Sequence, residues 1–257
     1  MQQVHKMQVS GSFCANICLR LSVLGSALRI SGIASVATLS VLTSAAIIAN
    51  KQAPLDISFD TLMQSAASLT GDAHTPVLRE WEILLDKAHE LSVGERLQAA
   101  NHFFHRNVTY VEDIDNWDKS DYWATPLETL TRGKGDCEDY AIGKYVSLLH
   151  LGIPNARLRL IYVRAKIGGA SSPISRPHMV LAYYETPQSE PLILDSLTRD
   201  IHPASERPDL LPVFSFNSDG LWVGNQRSSA ASPTQRLSRW RDVIERMNTE
   251  GITWNKD

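Results

Sequence analysis

Beyond residue 54, apolar positions return at helical spacing in the first half of the chain and at strand spacing in much of the second. "PVLREWEILLDKAHEL" from Pro76 and "SVGERLQAANHFFHRNV" from Ser92 each carry an apolar stripe. In the second, Leu97, Ala100, Phe103 and Phe104 share a face, and Ser92 with Glu95 has the spacing of a capping box. Between Thr109 and Thr125 the period fails, and "TYVEDIDNWDKSDYWAT" reads as an acidic, aromatic loop. The helical period resumes after Cys137 with Ala141, Tyr145, Leu148 and Leu149, and Gly152 and Pro154 stop it.

Downstream the spacing changes. "RLRLIYVRA" from Arg157 alternates polar and apolar residues, "HMVLAYYE" from His178 is rich in β-formers, and "PLILDSL" from Pro191 is a short apolar run. Gly, Ser and Pro clusters at 168–177 and 186–191 separate them, which predicts an antiparallel sheet. "SFNSDGLWVGNQ" from Ser215 reads as a hairpin or long loop. "SPTQRLSRWRDVIERMN" reads as a final amphipathic helix with Leu237, Trp240, Val243, Ile244 and Met247 inward. No internal repeat is visible. The fold class is α+β, a helical N-terminal half packed on an antiparallel sheet.

Composition changes this picture at the N-terminus. Ile30 to Asn50 contains no charged residue, and the basic residues Lys6, Arg20 and Arg29 precede it, the pattern of an export signal. Small residues at Ser44, Ala45, Ala46 and Ala49 offer cleavage points; an uncleaved anchor or a buried helix are the alternatives. The chain therefore divides into a leader, 1–50, and a body, 51–257, expected to work outside the cytoplasm. Since those three cations have no acidic partners within the leader, the body is more acidic than the net charge of −3 indicates. No basic stripe is present, which argues against a nucleic-acid partner.

Cys14 and Cys18 lie in the leader, so a processed body keeps only Cys137. A single cysteine in an oxidising compartment has no intramolecular disulfide partner and is either a buried core residue or a reactive thiol. Its place at the start of a predicted helix favours a thiolate and offers its own N–H to an oxyanion, whereas Asp136, Glu138 and Asp139 oppose thiolate formation unless something neutralises them. His178 opens one predicted strand and Asp195 closes the next; an antiparallel pairing brings them to the same end, where a carboxylate can orient an imidazole. "GKG" before the cysteine lacks the pattern of a phosphate-binding loop, and His102, His105 and His150 have no zinc-like spacing. Trp117, Tyr122 and Trp123 are candidates for either a groove or the core.

"DYWATPLETL", "GDCEDYAIGKY", "LGIP", "HMVLAYY" and "LILDSL" resemble the LapG family of bacterial transglutaminase-like cysteine proteinases over about residues 55–250. The resemblance implies a papain/transglutaminase-like core, with Cys137 as nucleophile, His178 as general base then acid, and Asp195 as orienting carboxylate. It further implies dependence on Ca²⁺, with Asp136, Glu138 and Asp139 among the ligands; because calcium takes about six to eight oxygens, Asp113, Asp115, Asp118 and Asp121 of the acidic loop are candidates to supply more, Asp115 and Asp118 foremost. A periplasmic location is implied too, as are a substrate in the N-terminal region of a large biofilm adhesin, cut near paired alanines, and control by the periplasmic domain of an inner-membrane cyclic di-GMP receptor. Membrane contact is expected only through an uncleaved leader. Two other readings fit the same residues: acyl transfer or deamidation by the same thiol, and a calcium-binding interaction module without turnover.

Overall fold

The apolar stripes fold as helices where the spacing places them. The computed structural model describes residues 53–70, 75–224 and 229–255. The export leader expected at 1–50 lies outside the described residues. A short strand β1 (Leu55–Ile57) leads into α1 (Phe59–Thr70), α2 (Thr75–Ala88) and α3 (Val93–Asn107). The start of α3 is fixed by the expected capping box: Ser92 Oγ accepts from the Glu95 N–H, and the Glu95 carboxylate accepts from the Ser92 N–H at 2.9 Å.

The acidic segment is more ordered than a plain loop. After β2 (Thr109–Tyr110) it contains a single-turn helix α4 (Asp113–Trp117), then α5 (Pro126–Arg132), whose capping box joins Thr125 and Glu128. Trp117 and Tyr122 pack ring against ring at 4.7 Å, and the Arg132 guanidinium lies over Trp117 at 4.0 Å. These two aromatics therefore brace the turn. The two-residue strand β3 (Lys134–Gly135) pairs in parallel with β2 and delivers the chain to α6 (Cys137–His150).

Helix α6 is the centre of the molecule and is buried along nearly its whole length. It packs on α3 and on the sheet, with Ile142, Tyr145, Leu148 and Leu149 in a core shared with Trp81, Phe103, Phe104 and Leu181. Gly143 is the point of closest approach: a Cβ there would stand 2.2 Å from Cε1 of Phe104. Trp81 Nε1 donates to Ser147 Oγ at 2.9 Å, and that hydroxyl donates to the Gly143 carbonyl at 2.8 Å, so the buried hydroxyl of this helix is satisfied internally.

The sheet is larger than the three expected strands. It has six, in the order β7-β6-β5-β4-β8-β9, all antiparallel: β4 (Leu158–Lys166), β5 (Ser175–Tyr183), β6 (Leu192–Leu194), β7 (His202–Pro203), β8 (Leu210–Phe216) and β9 (Leu221–Val223). Strand β5 begins three residues before His178, because β4 pairs with it as far as Lys166 opposite Ser175. His178 is thus inside a strand rather than at its start. The Pro177 ring did not end the pairing earlier, which is compatible with a strand whose outer edge is open at that point, β6 pairing only with Leu181–Tyr183. Alternate residues feed two cores: Leu158, Leu160, Met179 and Leu181 join the core of α6, whereas Ile161, Val163, Val180 and Ile193 form a second cluster.

The tail also departs from a single helix. It bends at Leu237, giving α7 (Pro233–Arg236) and α8 (Ser238–Thr249), before β10 (Ile252–Trp254) pairs antiparallel with β1. Trp240, Val243 and Met247 are buried as expected, while Leu237 and Ile244 are only partly covered.

Replacing Gly143 with Ala is expected to cost about 1–3 kcal/mol in urea denaturation, the usual range for overpacking a core, because the Phe104 ring has to shift. Gly94→Ala in the first turn of α3, where the new Cβ meets nothing within 4 Å, is expected to be neutral or mildly stabilising.

Candidate active site

Cys137 stands at the first position of α6 and is 9% exposed. Its placement depends on Gly135, where a Cβ would meet Asp139 Cβ at 2.8 Å, and on Asp139 itself. The fully buried Asp139 carboxylate accepts from the Ala124 N–H at 2.8 Å and from the Asp136 N–H at 3.3 Å, joining the approach to α5 to the start of α6. The Cys137 thiol donates to Glu138 Oε2 at 2.8 Å, and the Met179 N–H of β5 points at the sulfur.

These neighbours decide the state of the thiol. Burial pushes it well above the ordinary cysteine range, and the charges of Glu138 and Asp136 push it further, against a smaller opposing effect from the Met179 N–H. The net direction is upward, with burial the largest cause and the acidic flanks next.

His178 is buried and lines, together with Cys137, a cleft of about 780 Å³ whose walls include Trp123, Tyr162, Met179, Leu197 and Phe214. Trp123 is therefore the one of the three aromatics from the acidic segment that is placed both in the cleft and in the core, stacking on Phe216 at 5.7 Å. The antiparallel pairing of β5 with β6 brings Asp195 to His178, with Nε2 and Oδ1 2.6 Å apart. The Asp195 carboxylate has no exposure. Burial would raise its pKa, but hydrogen bonds from His178, the Leu197 N–H and Arg207 hold it well below the usual carboxylate range. An ionised carboxylate only accepts, so Nε2 of His178 carries the proton and Nδ1 is left to accept one.

The backbone of Asp195 is held from the helical side. His105 Nε2 and Lys144 Nζ both meet its carbonyl oxygen, at 2.9 and 3.0 Å, and Asn101 Nδ2 donates to the Arg199 carbonyl at 2.7 Å. Burial lowers the Lys144 pKa to about 7. None of His105, Lys144 or Arg207 carries a sequence signal for this role, since each depends on a partner 12 or more residues away.

Three overlapping acidic groups surround the start of α6: Asp136 with Cys137 and Glu138; Asp113 with Asp121 and Glu138; and Asp113 with Asp136 and Asp139, the ligand atoms of each lying within 4.8 Å of one another. Asp136, Glu138 and Asp139 are where the sequence placed them. Asp115 and Asp118 belong to none of these groups and are exposed; Asp113 and Asp121 stand in their place. The reason is α4: a helical turn puts Asp113 inward, its carboxylate receiving the Tyr122 N–H, and turns Asp115 to solvent. Asp118 follows as the helix's left-handed cap.

The oxygens of this cluster fit a hard cation. Asp113 Oδ1 and Asp136 Oδ1 are buried without a hydrogen-bond partner among the described residues, and all the donors except the thiol are carboxylates. Burial and mutual repulsion push Asp113 up to about 6 and Asp136 up to about 11. Without a cation, Asp113, Asp136 and Asp139 are all driven toward their protonated forms.

Residues 85–223 match the family described as bacterial transglutaminase-like cysteine proteinase. Among solved structures, the chain is 40% identical to Legionella pneumophila LapG in an EGTA-treated form, covering 74% of this chain and 98% of that one with a TM-score of 0.63. A calcium-bound form of the same protein is 39% identical over 74% of this chain and 99% of that one, also with a TM-score of 0.63. No curated protein matches the chain.

A carboxyl whose folded pKa is raised binds protons more tightly folded than unfolded, so stability is lost as pH rises through the interval between the two values. For Asp113 that interval runs from about 4 to about 6. Metal-free protein is therefore expected to lose stability from pH 4 to 6, and Asp113→Asn to flatten that slope, in thermal or urea unfolding with chelator present.

Proposed function

The chain belongs to the bacterial transglutaminase-like cysteine proteinases, and from that premise we propose that it is a calcium-dependent cysteine endopeptidase in which Cys137, His178 and Asp195 act together. The observation that carries this reading is the single cleft shared by a helix-terminal thiol and an imidazole whose far nitrogen is fixed by a fully buried carboxylate.

In this reading the Cys137 sulfur attacks a peptide carbonyl, and its proton passes to His178 Nδ1. Asp195 holds the imidazole in the tautomer that accepts there and stabilises the imidazolium that results. The backbone N–H of Cys137, free at the helix N-terminus, faces the negative oxygen of the tetrahedral intermediate. When that intermediate collapses, His178 gives its proton to the leaving amine, and water, deprotonated by the same nitrogen, releases the acyl group from sulfur. Asp113, Asp121, Asp136, Glu138 and Asp139 are the residues that would hold calcium. When bound, the ion supplies positive charge that offsets the carboxylates opposing thiolate formation.

The substrate proposed is the N-terminal region of a large surface adhesin, cut so as to release it during biofilm dispersal. The site of action is the periplasm, reached through residues 1–50. Control is assigned to the periplasmic domain of an inner-membrane cyclic di-GMP receptor that sequesters the enzyme. Supporting these assignments are the uncharged run at 30–50 and the likeness to a LapG over three quarters of the chain.

Cys137→Ala is expected to abolish cleavage of an adhesin N-terminal fragment while leaving the circular dichroism spectrum intact; cleavage retained by this variant refutes the mechanism. Analysis of the products for a new N-terminus, rather than a cross-link or a deamidated side chain, separates hydrolysis from the other reactions open to a thiol. EGTA is expected to slow iodoacetamide alkylation of Cys137 by about tenfold or more, the thiolate being the reactive form, and calcium to restore it. Asp113→Asn should weaken calcium binding in titration calorimetry, and Asp115→Asn should leave it unchanged.

A further inference from the structure

Asp195 is held from a side that the catalytic cleft does not see. Its Oδ1 accepts from His178 Nε2 at 2.6 Å and from the Leu197 N–H at 3.1 Å. Its Oδ2 meets Arg207 Nη2 at 2.7 Å. Arg207 is itself clamped by Asp209, Nε to Oδ1 at 3.0 Å and Nη2 to Oδ2 at 2.8 Å. The guanidinium side chain is 11% exposed and lines a separate cavity of about 600 Å³ with residues of the second core cluster, among them Val163, Val180 and Ile193.

We infer that Arg207 is a positioning residue for His178, acting through Asp195, and that Asp209 sets the orientation of Arg207, so that four side chains work as one chain from the second cavity to the cleft. This inference rests on the reading of His178 and Asp195 as working partners. The physical reason is rotational. A carboxylate held on one oxygen turns about its Cβ–Cγ bond, but with Oδ2 fixed as well, Oδ1 stays on Nε2 and keeps Nδ1 of His178 as the acceptor. Arginine suits the position because its planar fork serves two carboxylates at once, whereas the lysine ammonium is a point charge without that geometry. The charges alternate along the chain, so the buried Asp195 is neutralised from the second-cavity side whether or not His178 is protonated.

A plain stabilising ion pair would predict lost stability and nothing else. The test therefore reads the imidazole directly. In calcium-saturated full-length protein with labelled histidines, the Nε2 proton of His178 is expected as a downfield, exchange-protected NMR signal. Arg207→Gln should broaden or displace it and slow iodoacetamide alkylation of Cys137 by about 10–100-fold, by analogy with the cost of losing a partner that orients a metal-bound histidine from outside. Arg207→Lys should recover part of that loss. Asp209→Asn, which keeps the cation and loosens the clamp, should give a smaller displacement in a protein of near-normal stability. In an Asp195→Asn background, Arg207→Gln should add little further loss, since its route to His178 is already cut.

An unchanged His178 signal and alkylation rate in folded Arg207→Gln or Asp209→Asn overturns the inference. So does a full additional loss in the Asp195→Asn background. The NMR readout requires no turnover. Failure of the proteolytic reading would instead appear as a wild-type enzyme that cleaves nothing while its His178 signal still responds to Arg207.

Discussion

The packing of α6 against β5 is the joint on which the rest of the site depends. A helix buried along nearly its whole length has no freedom to slide, so the residue that opens it is fixed in space. Gly143 lets Phe104 approach closely, and Tyr145, Leu148 and Leu149 fill the core shared with Leu160 and Leu181. Cys137 then meets the Met179 N–H, one residue from His178. The apolar interior thus fixes the Cys137 thiol and the His178 imidazole relative to each other.

That rigidity has an electrostatic cost. Closing the acidic segment over the start of α6 buries Asp113, Asp136 and Asp139 together, beside a thiol that is itself nearly enclosed. Carboxylates so arranged either take up protons or share a cation. The unpartnered oxygens of Asp113 and Asp136 leave room for the second solution, and the same cation would relieve the thiol of the charges that hold its proton in place. In the proposed mechanism, folding and activation are linked through this one cluster.

Around Asp195 the opposite arrangement holds. It is as deeply buried as Asp139, yet its pKa is depressed rather than raised, because His178, Arg207 and a backbone N–H surround it. Two carboxyls with no exposure are therefore shifted in opposite directions within one domain. Which partners surround the oxygens decides, and burial alone does not. His105 and Lys144 complete the grip by holding the Asp195 carbonyl from α3 and α6.

Much of this was legible in the chain. The helices at 76–88 and 93–107, the helix that starts at Cys137, the antiparallel strand carrying His178 and the one that ends just before Asp195, and the α+β class follow from spacing and capping, which are local properties. The same is true of Asp136, Glu138 and Asp139, adjacent to the cysteine in sequence and so necessarily near it in space. The choice of Asp113 and Asp121 over Asp115 and Asp118 was not legible, because it depends on a single helical turn inside a segment without periodicity. Nor were β7, too short to carry a pattern, the part of β8 before Ser215, or the first three residues of β5, which pair with β4; the turn from β8 to β9, by contrast, forms the hairpin that is one of the two readings of the segment from Ser215. Arg207, Lys144 and His105 are ordinary residues in the sequence. Long-range folding gave them their partner, and no rule of spacing connects residues that meet only when sheet and helices close around the same aspartate.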